Sequence, residues 1–223
     1  MRKPWHKSNS ELFAKTKQEI ETNYPELRVA VENDTVFLRG SFTIEENGEI
    51  LDRYLIEIQF PDDYAESIPI LREVGGRIPW TADRHVSNNP LPGEACVIVP
   101  EEWLLRPDKD SIRSFLSGPV RNFFIGQSLV ERGKPWPFGE RNHGFKGLYQ
   151  AYGELIGVSD PETIRRYLDL LSRDPIKKRA LCPCGNGKRL RDCHLELVLR
   201  LQKKIPPSIA HRAFGRLCSG SQR

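Results

Sequence analysis

The sequence predicts an α+β fold, an antiparallel sheet with its helices gathered to one side. Three observations lead to that class. An amphipathic helical stretch opens the chain. Four strand-like segments, separated by turn signals, follow it in succession. Beyond a long loop rich in proline and glycine, every remaining periodic stretch has helical spacing.

Taken in order, the first element runs from Asn9 to Asn23. Leu12, Phe13, Thr16 and Ile20 recur at helical spacing, with Ser10 as the N-cap. "LRVAVEN" alternates, placing Leu27, Val29 and Val31 on one face, and "TVFLRGSFTI" and "RYLIEIQF" alternate likewise. "VEND" and "EENGE" read as hairpin connections. A fourth strand lies around "IPILREVG", before a stretch from Gly75 to Pro100 with no period. A loop of that length in a compact domain is functional or disordered. "SIRSFLSGPVRNFFIGQSLVERG" is helical, with an interruption expected at Gly118-Pro119. "GLYQAYGELIG" is a further helix, and "DPETIRRYLDLLSR" starts with Asp160 as cap and Pro161 in the first turn. No repeats or low-complexity tracts occur.

Composition places the chain among globular proteins. Hydrophobic residues make up 38% and charged residues 29% of 223, enough for a substantial core. No apolar run reaches bilayer length, so no membrane association is expected. "MRKPWHKSNSELF" has basic residues without an apolar segment behind them, unlike a secretory signal. Three of the five cysteines crowd into residues 182–193, which argues against a disulfide framework and for a reducing cytoplasm. Charge is uneven. Residues 173–223 hold thirteen Lys/Arg against three Asp/Glu, leaving twenty-one against twenty-seven in the first 172. Such a basic tail is either a solvated appendage or a docking surface for an acidic partner, protein or nucleic acid.

Within the long loop, "NNPLPGEACVIVPEEW" contains a single cysteine, Cys96. A catalytic cysteine needs access, a stabilised thiolate and a donor for a developing oxyanion. Gly93 permits unusual backbone and close approach, Asn88 offers an amide donor, and His85 a proton acceptor. The competing reading is packing, since free cysteine is often buried and Val97, Ile98 and Val99 follow. His143, in "GERNHGF", is a second candidate for the site or else a surface or capping histidine. Trp103, Trp136 and Phe138 read as packing residues that hold the loop.

These residues resemble the ubiquitin-conjugating enzyme family over roughly residues 10–150. Asn88 lies eight residues and Gly93 three residues before Cys96, as in that family's active-site loop. Tyr64 and Pro69 resemble its turn before the fourth strand. The chain also departs from the pattern. Trp103 follows the cysteine by seven residues, where the family has eight. The histidine-proline-asparagine triplet is broken by Val86 and Ser87, with His85 one position early. "KPWPFGERNHGFKGLYQAY" is similar to divergent bacterial relatives in anti-phage CBASS operons. The resemblance implies a ubiquitin-conjugating-enzyme-like fold with a four-stranded meander. It implies a transferase in which Cys96 forms a thioester with a protein C-terminus, of a cyclic-oligonucleotide synthase or a ubiquitin-like protein. An amine on a target protein or small molecule then accepts the acyl group. Asn88 would donate to the oxyanion, and His85 and His143 would stand near. The alternatives are a catalytically silent interaction module of the same fold, or a zinc protein that binds nucleic acid.

The tail carries "CPCGNGKRLRDCH", in which Cys182, Cys184, Cys193 and His194 form C-x-C-x(8)-C-H. Thiolates and imidazole are natural tetrahedral ligands for zinc, and four protein ligands make a structural site. A chance cluster of thiols is the alternative. The spacing resembles the C-terminal zinc motif of the SecA translocation motor, which implies docking of a partner protein; nucleic acid is the rival partner. Cys218 lies outside the ligand spacing. The expected organisation is a catalytic domain over 1–157, a helical linker over 158–180, a zinc motif over 181–204 and a basic tail over 205–223.

Overall fold

A computed structural model describes residues 3–87, 92–138 and 144–219. It is α+β, with two compact units, residues 1–140 and 141–223.

The first unit opens with α1 (Trp5–Ser8) and α2 (Ser10–Asn23). Asn9, not Ser10, caps α2: its side-chain oxygen accepts from the Leu12 N–H at 3.0 Å. Both residue types cap well, and the turn formed by α1 places Asn9 at the boundary. Trp5, on the unanticipated α1, is buried against Phe13, Phe60 and Tyr64.

Four strands follow as an antiparallel meander in the order β1 (Leu27–Glu32), β2 (Thr35–Glu46), β3 (Glu49–Gln59), β4 (Ile70–Glu73). The two hairpins turn on Asn33-Asp34 and Asn47-Gly48, all at positive φ, as a tight twist-compatible turn requires. Register pairs Leu38 with Ile58 and Phe42 with Tyr54. That alternation buries one face, which carries Val36, Leu38, Phe42, Ile44, Tyr54, Ile56, Ile58 and Leu71. Over it lie α2 and the helices of the chain's middle.

Those helices are α3 (Pro100–Leu104), α4 (Ile112–Phe115) and α5 (Arg121–Glu131). Gly118-Pro119 does not break the run between α4 and α5. Residues 116–120 widen into a π turn, which accommodates a proline that has no N–H to give. The helical path is kept, and Ile112, Phe115, Leu116, Val120, Phe123 and Phe124 are all buried.

Between β4 and α3 the long loop is well tied. The Glu73 carboxylate accepts from the N–H groups of Gly75 (2.7 Å), Arg77 (2.9 Å) and Ile78 (3.3 Å). Arg77 then donates to Asp52 at 2.7 and 2.8 Å and to Glu131 at 2.6 Å, and its guanidinium lies over the Tyr54 ring. Ser128 bonds both Asp52 and the Tyr54 hydroxyl. Arg84 and Gln127 exchange two bonds, at 2.7 and 2.6 Å. The loop is thereby fastened to β3 and α5.

The second unit is helical: α6 (Gly144–Ile156), α7 (Pro161–Leu171), α8 (Leu195–Lys204) and α9 (Pro207–Ser219). Asp160 caps α7, accepting from the Thr163 N–H at 2.8 Å, with Pro161 in the first turn. Residues 158–180 are thus more than a linker. Ile164, Tyr167, Leu168 and Leu171 of α7 are buried, and α7 packs on α6, α8 and α9. Residues 207–219 likewise form a helix that buries Ile209, Ala210, Ala213 and Leu217. The unit boundary falls at 140, before α6, because α6 shares this core instead of the sheet's. Among the described residues, no helix is long and apolar enough to cross a membrane.

Burial alone would raise the Asp52 carboxyl, but hydrogen bonds from Arg77, Ser128 and the Arg53 N–H outweigh it and hold the group far below the usual carboxylate range. A carboxyl depressed in the folded state adds stability above its unfolded value, and that contribution fades as pH falls below it. Asp52→Asn is expected to cost about 1–3 kcal/mol at neutral pH, as for hydrogen bonds to a charged group. In urea unfolding, the gap between wild type and variant should narrow below about pH 4.

Candidate functional site

Two clusters of chemistry-bearing residues stand apart in sequence. The first is the loop thiol. Its local frame is a short antiparallel pairing. The Ser87 N–H donates to Glu94 O at 2.8 Å, the Gly93 N–H to Ser87 O at 2.9 Å and the Cys96 N–H to His85 O at 2.8 Å, with a bridge between Val86 and Ala95. On the other side the Ala95 N–H reaches Leu71 O at 2.8 Å, and Glu94 bridges Arg72. Residues 93–96 therefore extend the sheet beyond β4. Gly93 has φ of +78°, a backbone that strains any other residue, and a Cβ there would stand 3.2 Å from the Trp80 ring, a tight contact.

Cys96 is exposed, as a nucleophile requires and a packing residue does not. Its surroundings do not favour a thiolate, however. Burial of the sulfur among its neighbours raises the thiol, and the nearby Glu94 carboxylate raises it further. The two facts describe different things: solvent reaches the residue, while the surrounding protein mass still disfavours charge on sulfur.

The structure brings the His85 and Cys96 backbones together, but the His85 ring lies against Trp136, with centroids 4.3 Å apart. His85 itself takes a left-handed backbone, φ 53°, at the end of the 3-10 turn Ala82–Arg84. Trp136 is seated over Gly126 of α5, where any Cβ would overlap the indole. Trp103 is buried, and its indole N–H donates to Lys109 O at 3.1 Å. Phe138 touches Trp136 but stays 46% exposed, so it packs less than expected. Asn88 and His143 lie outside the described residues.

The second cluster is Cys182, Cys184, Cys193 and His194, whose ligand atoms all lie within 4.8 Å of one another. A two-strand ribbon makes it. Leu181 bridges Arg189, the Cys182 N–H donates to Lys188 O at 2.9 Å and the Leu190 N–H to Ala180 O at 2.8 Å. Gly185 and Gly187 turn the chain at φ +81° and +77°. A 3-10 turn over Leu190–Asp192 then delivers Cys193, and His194 stands at the start of α8.

Zinc sits about 2.3 Å from sulfur and about 2.0–2.1 Å from nitrogen, so a tetrahedral site has edges of about 3.8 Å (S···S) and about 3.6 Å (S···N). Cys184 and Cys193 sulfurs are 3.7 Å apart, and His194 Nδ1 is 3.2 Å from both Cys182 and Cys193. The group fits a tetrahedral ion, with no position left for substrate. Burial pushes the Cys182 thiol up to about 11. At Cys184 burial also pulls upward, but hydrogen bonds from the Asn186 amide and the neighbouring thiols outweigh it, and the shift is downward. Metal binding would release protons from these thiols.

Residues that sequence reading does not single out support both clusters. Asn186 donates to the Cys193 sulfur at 3.0 Å, and Arg166 donates to Pro183 O at 2.8 Å, pinning the knuckle to α7. Tyr167 is pushed up to about 12 by burial and by the adjacent thiols. Around Cys96, Gly126 makes room for Trp136, which packs on His85, while Glu94 opposes charge on the sulfur. An isolated glycine inside a helical pattern is the one advance signal among these.

Comparison with protein-family models, with curated proteins and with solved structures gives no match.

Alkylation of Cys96 in zinc-loaded protein, followed by peptide mass, should quicken steadily with pH through and beyond about 8.5, the ordinary thiol value. Glu94→Gln should speed it at neutral pH by less than about tenfold, which is one pKa unit; an unchanged profile would remove the carboxylate's role. For the knuckle, elemental analysis should find one tetrahedral metal ion per chain. Cys182→Ser should lose that metal and lower the melting temperature, because the energy of such a site is folding energy.

Proposed function

We propose that the first unit is a ubiquitin-conjugating-type transferase with Cys96 as its acyl acceptor, and that the knuckle holds structural zinc. The observation that carries the reading is an exposed cysteine fixed by main-chain bonds beside β4, at the edge of a four-stranded meander. An ordered loop with an accessible sulfur is what repeated acyl transfer needs.

In the first step, the Cys96 sulfur attacks the carbonyl carbon of an activated protein C-terminus, supplied as a thioester or acyl adenylate. The leaving thiol or nucleotide departs, the Cys96 proton passes to solvent or to the leaving group, and a new thioester forms. In the second step a target amine attacks that carbonyl, the C–S bond breaks, the Cys96 thiol is restored and the amine loses its proton. Asn88 has the oxyanion role by family resemblance, with His85 and His143 as polar neighbours. The likeness of residues 134–152 to CBASS-associated relatives supports a cyclic-oligonucleotide synthase as acyl donor, antiviral defence as the setting and the cytoplasm as the compartment.

A second reading is a silent interaction module of the same fold. The raised Cys96 thiol favours it. Intact mass of protein recovered from cells separates the two. Wild type should carry a reducing-agent-sensitive acyl adduct, and Cys96→Ala should carry none. Unmodified wild type, together with full protection against phage by Cys96→Ala, would overturn the transferase.

A further inference from the structure

The knuckle organises the basic tail into a surface that the sequence does not display. Along the ribbon, Cys182 and Leu190 point inward and are buried, while Leu181 and Arg189 face outward, Leu181 at 62% exposure. Arg179, in the turn before the ribbon, and Arg191, in the 3-10 turn after it, are exposed as well. The Arg191 N–H donates to Lys178 O at 3.0 Å, so these two turns meet. Arg189 reaches across to donate to Arg179 O at 3.1 Å. These bonds gather three exposed arginines at one end of the knuckle, flanked in the chain by exposed Lys177, Lys178 and Lys188.

Like charges facing each other across strands destabilise the pair. Here they are barely compensated. Arg191 meets Asp192 at 3.2 Å, and among the described residues the other five cations have no carboxylate partner. Arg166, on the neighbouring α7, is by contrast placed near Asp160 and Glu162. An uncompensated arginine face is stable only at a cost, and a bound polyanion removes that cost.

We infer that this face is a binding surface for the phosphate backbone of single-stranded nucleic acid. Guanidinium groups match phosphate oxygens two bonds at a time, and their planes stack on unpaired bases. The exposed Leu181 between Arg179 and Arg189 adds an apolar contact for a base. Residues 173–223 hold thirteen cations against three anions, a balance that favours a polyanion over a short acidic peptide. A metal held by the four ligands would fix the two sides of the ribbon against each other. The resemblance of the zinc motif implies a protein partner for this tail; the clustered, unpaired arginines favour nucleic acid.

The test uses the full-length, zinc-loaded protein and a fluorescent single-stranded RNA, read by anisotropy between about 50 and 200 mM salt. The triple variant Arg179→Gln, Arg189→Gln, Arg191→Gln, checked for unchanged zinc content and melting, should bind at least about tenfold more weakly. Its slope of log affinity against log salt should fall by about 2, three contacts at about 0.7 each. Zinc removal should abolish the difference between wild type and variant. Cys96→Ala should bind as wild type does, which separates this result from the fate of the transferase reading. No binding at the low-salt end, or a triple variant with unaltered slope, would overturn the inference. Competition by polyglutamate as effective as by unlabelled RNA would assign the face to an acidic protein and overturn it equally.

Discussion

The first unit depends on one guanidinium. Arg77 lies at the root of the long loop, and it holds Asp52 on β3, Glu131 on α5 and the face of the Tyr54 ring together. The Glu73 turn before it and the Arg84–Gln127 exchange after it fasten the same loop at two further points. The pairing of residues 85–87 with 93–96 follows, since the loop's two sides are then brought within hydrogen-bond reach. The Cys96 backbone is held by this pairing and by the Ala95 N–H bond to Leu71 O of β4, within the loop that Arg77 ties to β3 and α5. Because Asp52 is largely buried, with 12% of its side chain exposed, the pair is less screened than a surface salt bridge.

The second unit solves the same problem with sulfur. A ribbon and a 3-10 turn bury little on their own, and two glycines add conformational freedom that folding must remove. Four ligands from two short segments, 182–184 and 193–194, meet at one point. Leu190 and Cys182 tie that point to the helical core, and Arg166 locks it to α7 through the Pro183 carbonyl. The consequence reaches the surface. When the inward positions of a ribbon are fixed by ligands and core, the outward ones are fixed too, and these carry arginine.

Much of the fold was legible. Strand alternation and two asparagine-bearing turns specify the meander, because a shift of one residue would expose the apolar face. Asp160-Pro161 declares the start of α7. The metal cluster was legible from spacing alone, since thiols one residue apart beside glycines have few other uses. What escaped depends on contacts between segments distant in sequence. The Arg77 side chain joins partners from twenty-three to fifty-four positions away, and no local pattern marks them. Pro119 signals a break, yet tertiary packing on both sides of it favours a widened turn over a broken helix. The division at 157 follows a glycine-marked helix end, but α6 joins the unit that covers its apolar face, and that choice is made by packing. Around Cys96, the sequence announces an accessible loop and says nothing of Glu94 as an opposing charge, because two residues along a strand can bring side chains to one face.

That opposing charge bears on what the thiol can do. A raised thiol keeps little thiolate at neutral pH, which slows attack on a weak electrophile and protects the sulfur from oxidation. The small fraction that does ionise is intrinsically the more nucleophilic, since nucleophilicity rises with thiol basicity. In the proposed transferase such a sulfur would discriminate, reacting with a carbonyl already activated and held beside it and poorly with anything met by collision. The same basicity would make it a reluctant leaving group, so a thioester would persist until an amine is positioned against it. In a silent module the same environment would simply leave the thiol unreactive, so the acyl adduct, and not the raised thiol, separates the two readings.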